Sequence, residues 1–483
     1  MSQHINRREF LQITAGGMVY FAGSNLLAAD GWPGSSALVS PGCRRSKVKV
    51  ARLYMGIKGA HWPTPKLNFQ DEMGVYAKQF ARLGKELADV DFAVDELVTS
   101  VQQAQQLKGR LESVDGILVI HLSMGIGGML NEVLSVGKPT ALFASPYSGH
   151  EWTSFGGLER QPGARLVCFL TNDYSQLAVA IRPFRAIHHL REAKILNVTT
   201  RSFSDYADQM KKKFGTEMKQ IDLDTVVKAY NAVDDKAAEA ETERWLKGAE
   251  AVVEPSRKEI FNACKLALAF ETMLTAEDAS VLTVDCYGTM WDKTIKLPAY
   301  PCTGLCRLND IGLGGICESD LRCAMTHIIL QGLTGKPGFI SDPTVNEAQN
   351  SIILAHCLGS RKMDGPSGPI APYKFRTIME RQEGVVPQVE MRVGQKVTQA
   401  ILIGTDSLLY FTGEIIGAPV KVENDRGCRT QIDVRVDGDV TTLWKNWSNG
   451  LHRQTVYGDI TQDLQRFCRH EGIKLIDEAA KQA

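Results

Sequence analysis

"GGICESDLRCAMTHIILQGLTGKPGFISDPTVNEAQNSIILAHC", residues 314–357, decides how this chain is read. Most of it is apolar, yet Glu318, Asp342 and His356 sit inside it, each where one local pattern gives way to the next. After Glu318, "ESDLRCAMTHIILQGLTG" has helical period. Leu321, Met325, Ile328 and Ile329 share one face, and Gly335 followed by Pro337 stops it. "GFIS" then reads as a short strand ending at Asp342-Pro343, and "NSIILAHC" as a strand ending at His356. An unpaired charge is costly to bury, so such groups are paired or bound to a metal. In parallel α/β sheets, ligands bind beyond the carboxyl ends of the strands. Two of the three groups sit at strand ends and the third begins a helix, so they are expected to converge at one mouth of a sheet.

Working outward, the sequence before this stretch alternates. "VKVARLYMG" (48–56) and "DGILVIHLSMG" (115–125) read as buried strands between helical segments, followed by a long helix, "YSQLAVAIRPFRAIHHLREAK". A second alternation starts at "ILNVTT", with helical stretches at 204–214, 223–247 and 255–276. The βαβ order predicts parallel sheets covered by helices on both faces. Beyond residue 385 the chain is rich in β-branched residues and turn signals, which predicts antiparallel strands. The expected fold class is α/β: two doubly wound α/β domains followed by a β-rich C-terminal domain. The divisions fall at 1–45 (signal and tether), 46–175, 176–345 (with the metal-binding carboxylates) and 346–483.

Composition bounds the function. At 483 residues the chain is too long for one core. Lys plus Arg equal Asp plus Glu, and no basic stripe interleaves with aromatics, so nucleic acid is not an expected partner. No segment of the body has the ~20 apolar residues of a membrane span. The N-terminus, "NRREFLQITAGGMVYFAGSNLLAA", sets Arg7 and Arg8 before a mildly apolar run. It resembles a twin-arginine (Tat) export signal and predicts a periplasmic or otherwise exported protein. The eleven cysteines include no C-x-x-C pair and are read as small buried hydrophobes with reduced thiols.

A fourth candidate group, His452, lies far downstream in the turn-like "NGLHRQTVYGDI". Carboxylates plus imidazoles suit Mn²⁺ or another divalent transition metal such as Fe²⁺ or Co²⁺.

The segments "PCTGLCRLNDIGLGGICESDL", "LTGKPGFISDP" and "ILAHC" resemble the core of the L-fucose isomerase and L-arabinose isomerase superfamily. The resemblance implies a Glu and an Asp 24 positions apart that bind Mn²⁺ and act as acid/base groups, the spacing of Glu318 and Asp342. It implies that His452 completes the metal site and, from the arabinose branch, that His356 adds a ligand. It also implies three domains and a homotrimer or homohexamer with sites near subunit boundaries. The expected activity is metal-dependent aldose–ketose isomerisation of a small sugar through an enediolate. The same metal and bases would serve an epimerase or lyase acting on a keto-sugar. An exported sugar-binding protein without catalysis is the alternative from another class. Arg307, Asn309, Tyr287, Trp447 and Asn449 are the expected substrate contacts, with His150 and Trp152 as further sugar-facing candidates. The glycines Gly125, Gly127 and Gly128 are read as a tight βα turn rather than a phosphate loop.

Overall fold

The computed structural model describes residues 46–290, 296–419 and 426–480. The Arg7–Arg8 signal lies outside them.

The first sheet is parallel. Its strands are β1 (Val48–Met55), β2 (Val90–Val98), β3 (Gly116–His121), β4 (Thr140–Ala144) and β5 (Leu166–Leu170), in the order β2-β1-β3-β4-β5. β3 and β4 are buried at every residue, as expected for strands covered on both faces. Gly125 takes a left-handed backbone (φ +98°), and Glu151 accepts from the amides of Gly125 and Ile126. The helix start behind this turn is thus occupied by an internal carboxylate. His150 packs against Trp62 with the rings tilted, and Trp152 is exposed.

The second sheet contains β6 (Lys194–Val198), β7 (Glu217–Ile221), β9 (Val281–Val284) and β10 (Gly314–Cys317), parallel and in the order β10-β9-β6-β7. The short β8 (Ala251–Val252) instead joins a small sheet with β13 (Tyr373–Arg376) and β14 (Val386–Val389). The helical stretch 223–247 divides in two, because Asp234 caps a new helix at Asp235 through the amide of Ala237.

Helix Gln176–Glu192 ties the two α/β units together. Ile181 and Phe184 pack in the first sheet's core, and Ala186 and Leu190 in the second's. It crosses helix Leu321–Thr334 at Gly332, where an added Cβ would lie 2.6 Å from the Ala186 Cα. Only glycine admits so close a backbone approach.

The C-terminal strands close on themselves. β11 (Phe339–Asn346), β12 (Ser351–His356), β15 (Lys396–Ile403), β16 (Ser407–Gly417), β17 (Thr430–Val436) and β18 (Arg453–Tyr457) run β15-β18-β11-β12-β17-β16, and β16 pairs back to β15. All six pairings are antiparallel. The result is a small closed barrel with no free edge to manage. β19 (Lys474–Asp477) lies parallel beside the start of β16. Phe339, Ile352, Leu354, Phe411, Ile432 and Val434 fill the interior.

One local expectation is corrected here. "GFIS" does not extend a parallel sheet. It begins barrel strand β11, which pairs antiparallel with β18 over 339–341 and with β12 over 342–346. Pro343 is tolerated because β18 has already left that edge, so no ladder hydrogen bond is lost there.

No helix among the described residues is long and apolar enough to cross a membrane.

Candidate active site and metal centre

Glu318 follows the last residue of β10. Asn309 clamps that strand: its amide donates to the Gly315 carbonyl (3.0 Å) and accepts from the Gly315 N–H (2.7 Å). Gly315 is pressed so close to Leu305 that a Cβ would lie 2.1 Å from that residue's carbonyl oxygen. The chain then turns through two non-glycine left-handed residues, Glu318 (φ +61°) and Ser319 (φ +54°). Such conformations cost of order 1–3 kcal/mol each and concentrate at functional sites. Here they swing the Glu318 carboxylate away from the strand axis, and the Ser319 hydroxyl anchors the turn on Asn197 (2.7 Å).

Asp320 comes next and caps helix Leu321–Thr334, its Oδ1 accepting from the Cys323 amide at 3.0 Å. That helix is buried on nearly every face, not only along the stripe of Leu321, Met325, Ile328 and Ile329. It packs against the second sheet, the 176–192 helix and barrel strand β15, where Thr326 accepts from the Leu402 amide. The start of this helix therefore sits between the α/β region and the barrel.

From the barrel side come Asp342 on β11, His356 at the end of β12 and His452 just before β18. His356 is 1% exposed, with Nε2 3.5 Å from Glu318 Oε1. His452 Nε2 lies 3.5 Å from Glu318 Oε2 and 3.1 Å from Asp342 Oδ1. The last pair is close without the alignment of a hydrogen bond, and Asp342 Oδ1, His452 Nε2 and both ring nitrogens of His356 lack a hydrogen-bond partner. Unpaired buried polar atoms demand an explanation. Ligand atoms of Glu318, His356 and His452 lie within 4.8 Å of one another, and Asp342 joins them through its approach to His452 Nε2. Carboxylate oxygens and imidazole nitrogens so arranged fit a divalent cation of the Mn²⁺ type.

Asp320 supplies what the sequence did not disclose. Its Oδ2 lies 3.2 Å from His452 Nδ1, holding the ring so that Nε2 faces the unpaired cluster. A carboxylate behind a ligating histidine is the usual way to set its tautomer and orientation. The one available signal was "ESD": a second carboxylate two residues after Glu318, at a helix N-cap.

The electrostatics follow from this crowding. Burial opposes charge on His452, but the hydrogen bond to Asp320 and the close carboxylates of Asp342 and Glu318 outweigh it, raising its pKa to about 10. Asp320 and Asp342 both resist ionisation through burial, yet His452 draws each below the ordinary carboxylate value. Tyr287 is pushed up to about 12, first by the charge of Glu318 and then by burial and Asp342. Its hydroxyl is therefore a donor throughout the physiological range.

Beside Glu318 opens a small cleft. Tyr287, Tyr300, Glu318, Glu380 and four cysteines (286, 302, 317 and 357) line it, with Ile378. The ten described cysteines are all unbonded thiols. Cys286 Sγ and Cys317 Sγ are 3.4 Å apart.

The structure thus brings Glu318, Asp342, His356, His452 and Tyr287 together, and sends four other expected site residues elsewhere. Arg307 is 2% exposed and its guanidinium is taken up by Glu241 (3.2 Å) and Glu271 (2.7 Å), because it projects inward from a buried helix. Asn309 is committed to Gly315. Trp447 donates to the Gly450 carbonyl (3.2 Å) and covers the Arg453 guanidinium. Asn449 takes a left-handed backbone (φ +61°) and offers its carbonyl to Arg322. These last two shape the turn that delivers His452.

Fold and site together define a class: a chain of two parallel α/β units and a small β-barrel, with carboxylates from both regions meeting two imidazoles at their junction. No family model matches the sequence. It is similar to the sulfoquinovose isomerase of Alkalicoccus urumqiensis, 22% identical over 289 residues, which is 55% of this chain and 59% of that protein. It is also similar to the sulfoquinovose isomerase of Clostridium sp. (strain MSTE9), 26% identical over 218 residues, 41% of this chain and 44% of that protein. The matches span about half the length of these curated relatives.

Proposed function

We propose that this chain is a metal-dependent aldose–ketose isomerase acting on a sugar. The observation that carries the reading is the junction itself. Glu318, Asp342, His356 and His452 come from separate elements and bring carboxylate oxygens and imidazole nitrogens together beside a cleft. The two relatives named as sugar isomerases support the reaction class.

Glu318, Asp342, His452 and His356 would hold the cation, preferably Mn²⁺. When bound, it supplies Lewis-acid stabilisation of negative charge on the substrate oxygens. The chain's own residues do the rest. One of the carboxylates Glu318 and Asp342 takes the proton from C2 of the aldose, and the electron pair becomes the C1–C2 double bond of an enediolate. Return of a proton to C1, with transfer of the O2 proton to O1, completes the ketose. Asp320 holds the His452 ring fixed throughout, and Tyr287 donates to a sugar hydroxyl. Tat-directed export and a homotrimeric or homohexameric assembly belong to the same proposal.

The test is Glu318→Gln. The amide keeps the shape and removes the basicity. Turnover of the responsive aldose, sought in a panel that includes sulfoquinovose, should fall by ~10²-fold or more while the fold survives. Exchange of the substrate C2 proton with deuterated solvent is followed alongside metal content. If the variant keeps its metal and exchanges that proton at the wild-type rate, Glu318 is not the base. Product analysis separates isomerisation from epimerisation or elimination.

A further inference from the structure

A second cluster lies along the same cleft. Cys357 follows the last residue of β12, and Cys428 stands shortly before β17. Glu380 reaches them from the segment after β13. Cys357 Sγ is 3.9 Å from Cys428 Sγ and 3.7 Å from Glu380 Oε1, and Cys428 Sγ is 3.4 Å from the same oxygen. These separations have a specific meaning. With metal–sulfur bonds of about 2.3 Å and a metal–oxygen bond of about 2.0 Å, tetrahedral ligands stand about 3.8 Å apart for S···S and about 3.5 Å for S···O. The three atoms already form one face of such a tetrahedron.

The chemistry agrees with the geometry. Among the described residues, the contacts of the Glu380 carboxylate are these two thiols, which are weak donors. Thiolate ligands select zinc-like cations, whereas the oxygen and imidazole set at Glu318 suits Mn²⁺. Cys357 and Glu380 both line the cleft, so the cluster borders it.

We propose that Cys357, Glu380 and Cys428 form a second metal site for a thiophilic divalent cation of the zinc class, bordering the cleft. The two thiol protons leave to solvent as the cation enters, and no redox change is involved. The site stands independently of the isomerase reading.

The full chain, purified under reducing conditions and freed of metal by a chelator, is titrated with Cd²⁺ after Mn²⁺ has been added. Cd²⁺ bound to thiolates gives an ultraviolet charge-transfer band that oxygen and nitrogen ligands do not. We expect one such Cd²⁺ per chain with Mn²⁺ still bound. Cys428→Ser should weaken Cd²⁺ by about 100-fold or more and leave Mn²⁺ in place. His452→Ala should do the reverse, which keeps failure of this site distinct from failure of the isomerase centre. Glu380 is exposed, so Glu380→Gln preserves the fold and is the second variant. A missing band in the wild type, or wild-type Cd²⁺ affinity in either cleft variant, overturns the proposal. So does a Cys357–Cys428 disulfide that forms without reductant while reduced protein takes up no zinc.

Discussion

Replacing Asp320 by Asn separates two things that one side chain does. Oδ1 caps the helix through Cys323, and Oδ2 braces His452. Asn caps helices about as well as Asp, so stability should change by no more than about 0.5 kcal/mol. The brace is another matter. A charge-assisted hydrogen bond becomes a neutral one, and the amide can turn either its oxygen or its nitrogen toward Nδ1. Lost support behind a ligating histidine typically weakens metal binding by about 10–100-fold, or about 1.4–2.7 kcal/mol. Mn²⁺ affinity from paramagnetic resonance, set beside chemical denaturation of the same sample, should show this split. Asp320→Ala should lose the cap as well and fall by about 1 kcal/mol further in stability. An Asn variant that binds Mn²⁺ as tightly as wild type would refute the reasoning. An equal loss of fold stability would assign Asp320 to the helix alone.

Three further outcomes are expected. In the metal-free protein the His452 pKa is raised to about 10, so its stabilising contribution is complete below about 6.5 and is lost as pH rises through about 10. Because a ligating imidazole must be neutral, Mn²⁺ affinity should rise with pH across 7–9, by up to about tenfold per unit; calorimetric titrations showing a flat profile would exclude His452 as a ligand. Arg307→Met leaves Glu241, which Arg307 helps hold at a pKa of about 2 against burial, without one partner, so denaturant midpoints should report a loss of about 3–5 kcal/mol with KM unchanged in the folded fraction. Gly315→Ala drives a methyl against the Leu305 carbonyl and should cost about 1–3 kcal/mol or more in thermal unfolding, with activity falling too because β10 carries Glu318.

The chain's own pattern determined a good deal of this. Period-2 and period-3.6 apolar spacing decides which face of an element leaves water, so the strands at 48–55 and 116–121, the 176–192 helix and the stop at Gly335 were legible without coordinates. Charged groups inside an apolar run announce themselves by the cost of burying them, which is why Glu318, Asp342 and His356 stood out. What each charge does depends on its neighbours, and neighbours distant in sequence are a matter of packing. Arg307 looked like a sugar contact until the structure placed Glu241 and Glu271 around it. Asp342 read as the end of a parallel strand, although its strand pairs into a barrel with residues up to 116 positions away. Asp320 was hidden because its partner, His452, is 132 residues downstream. The grouping of cysteines 286, 302, 317 and 357 along one cleft, with Cys428 beside it, has the same origin. Local periodicity sets the elements, but only the meeting of the α/β units with the barrel decides which side chains share a space, since those contacts depend on chain closure that no short window of sequence encodes.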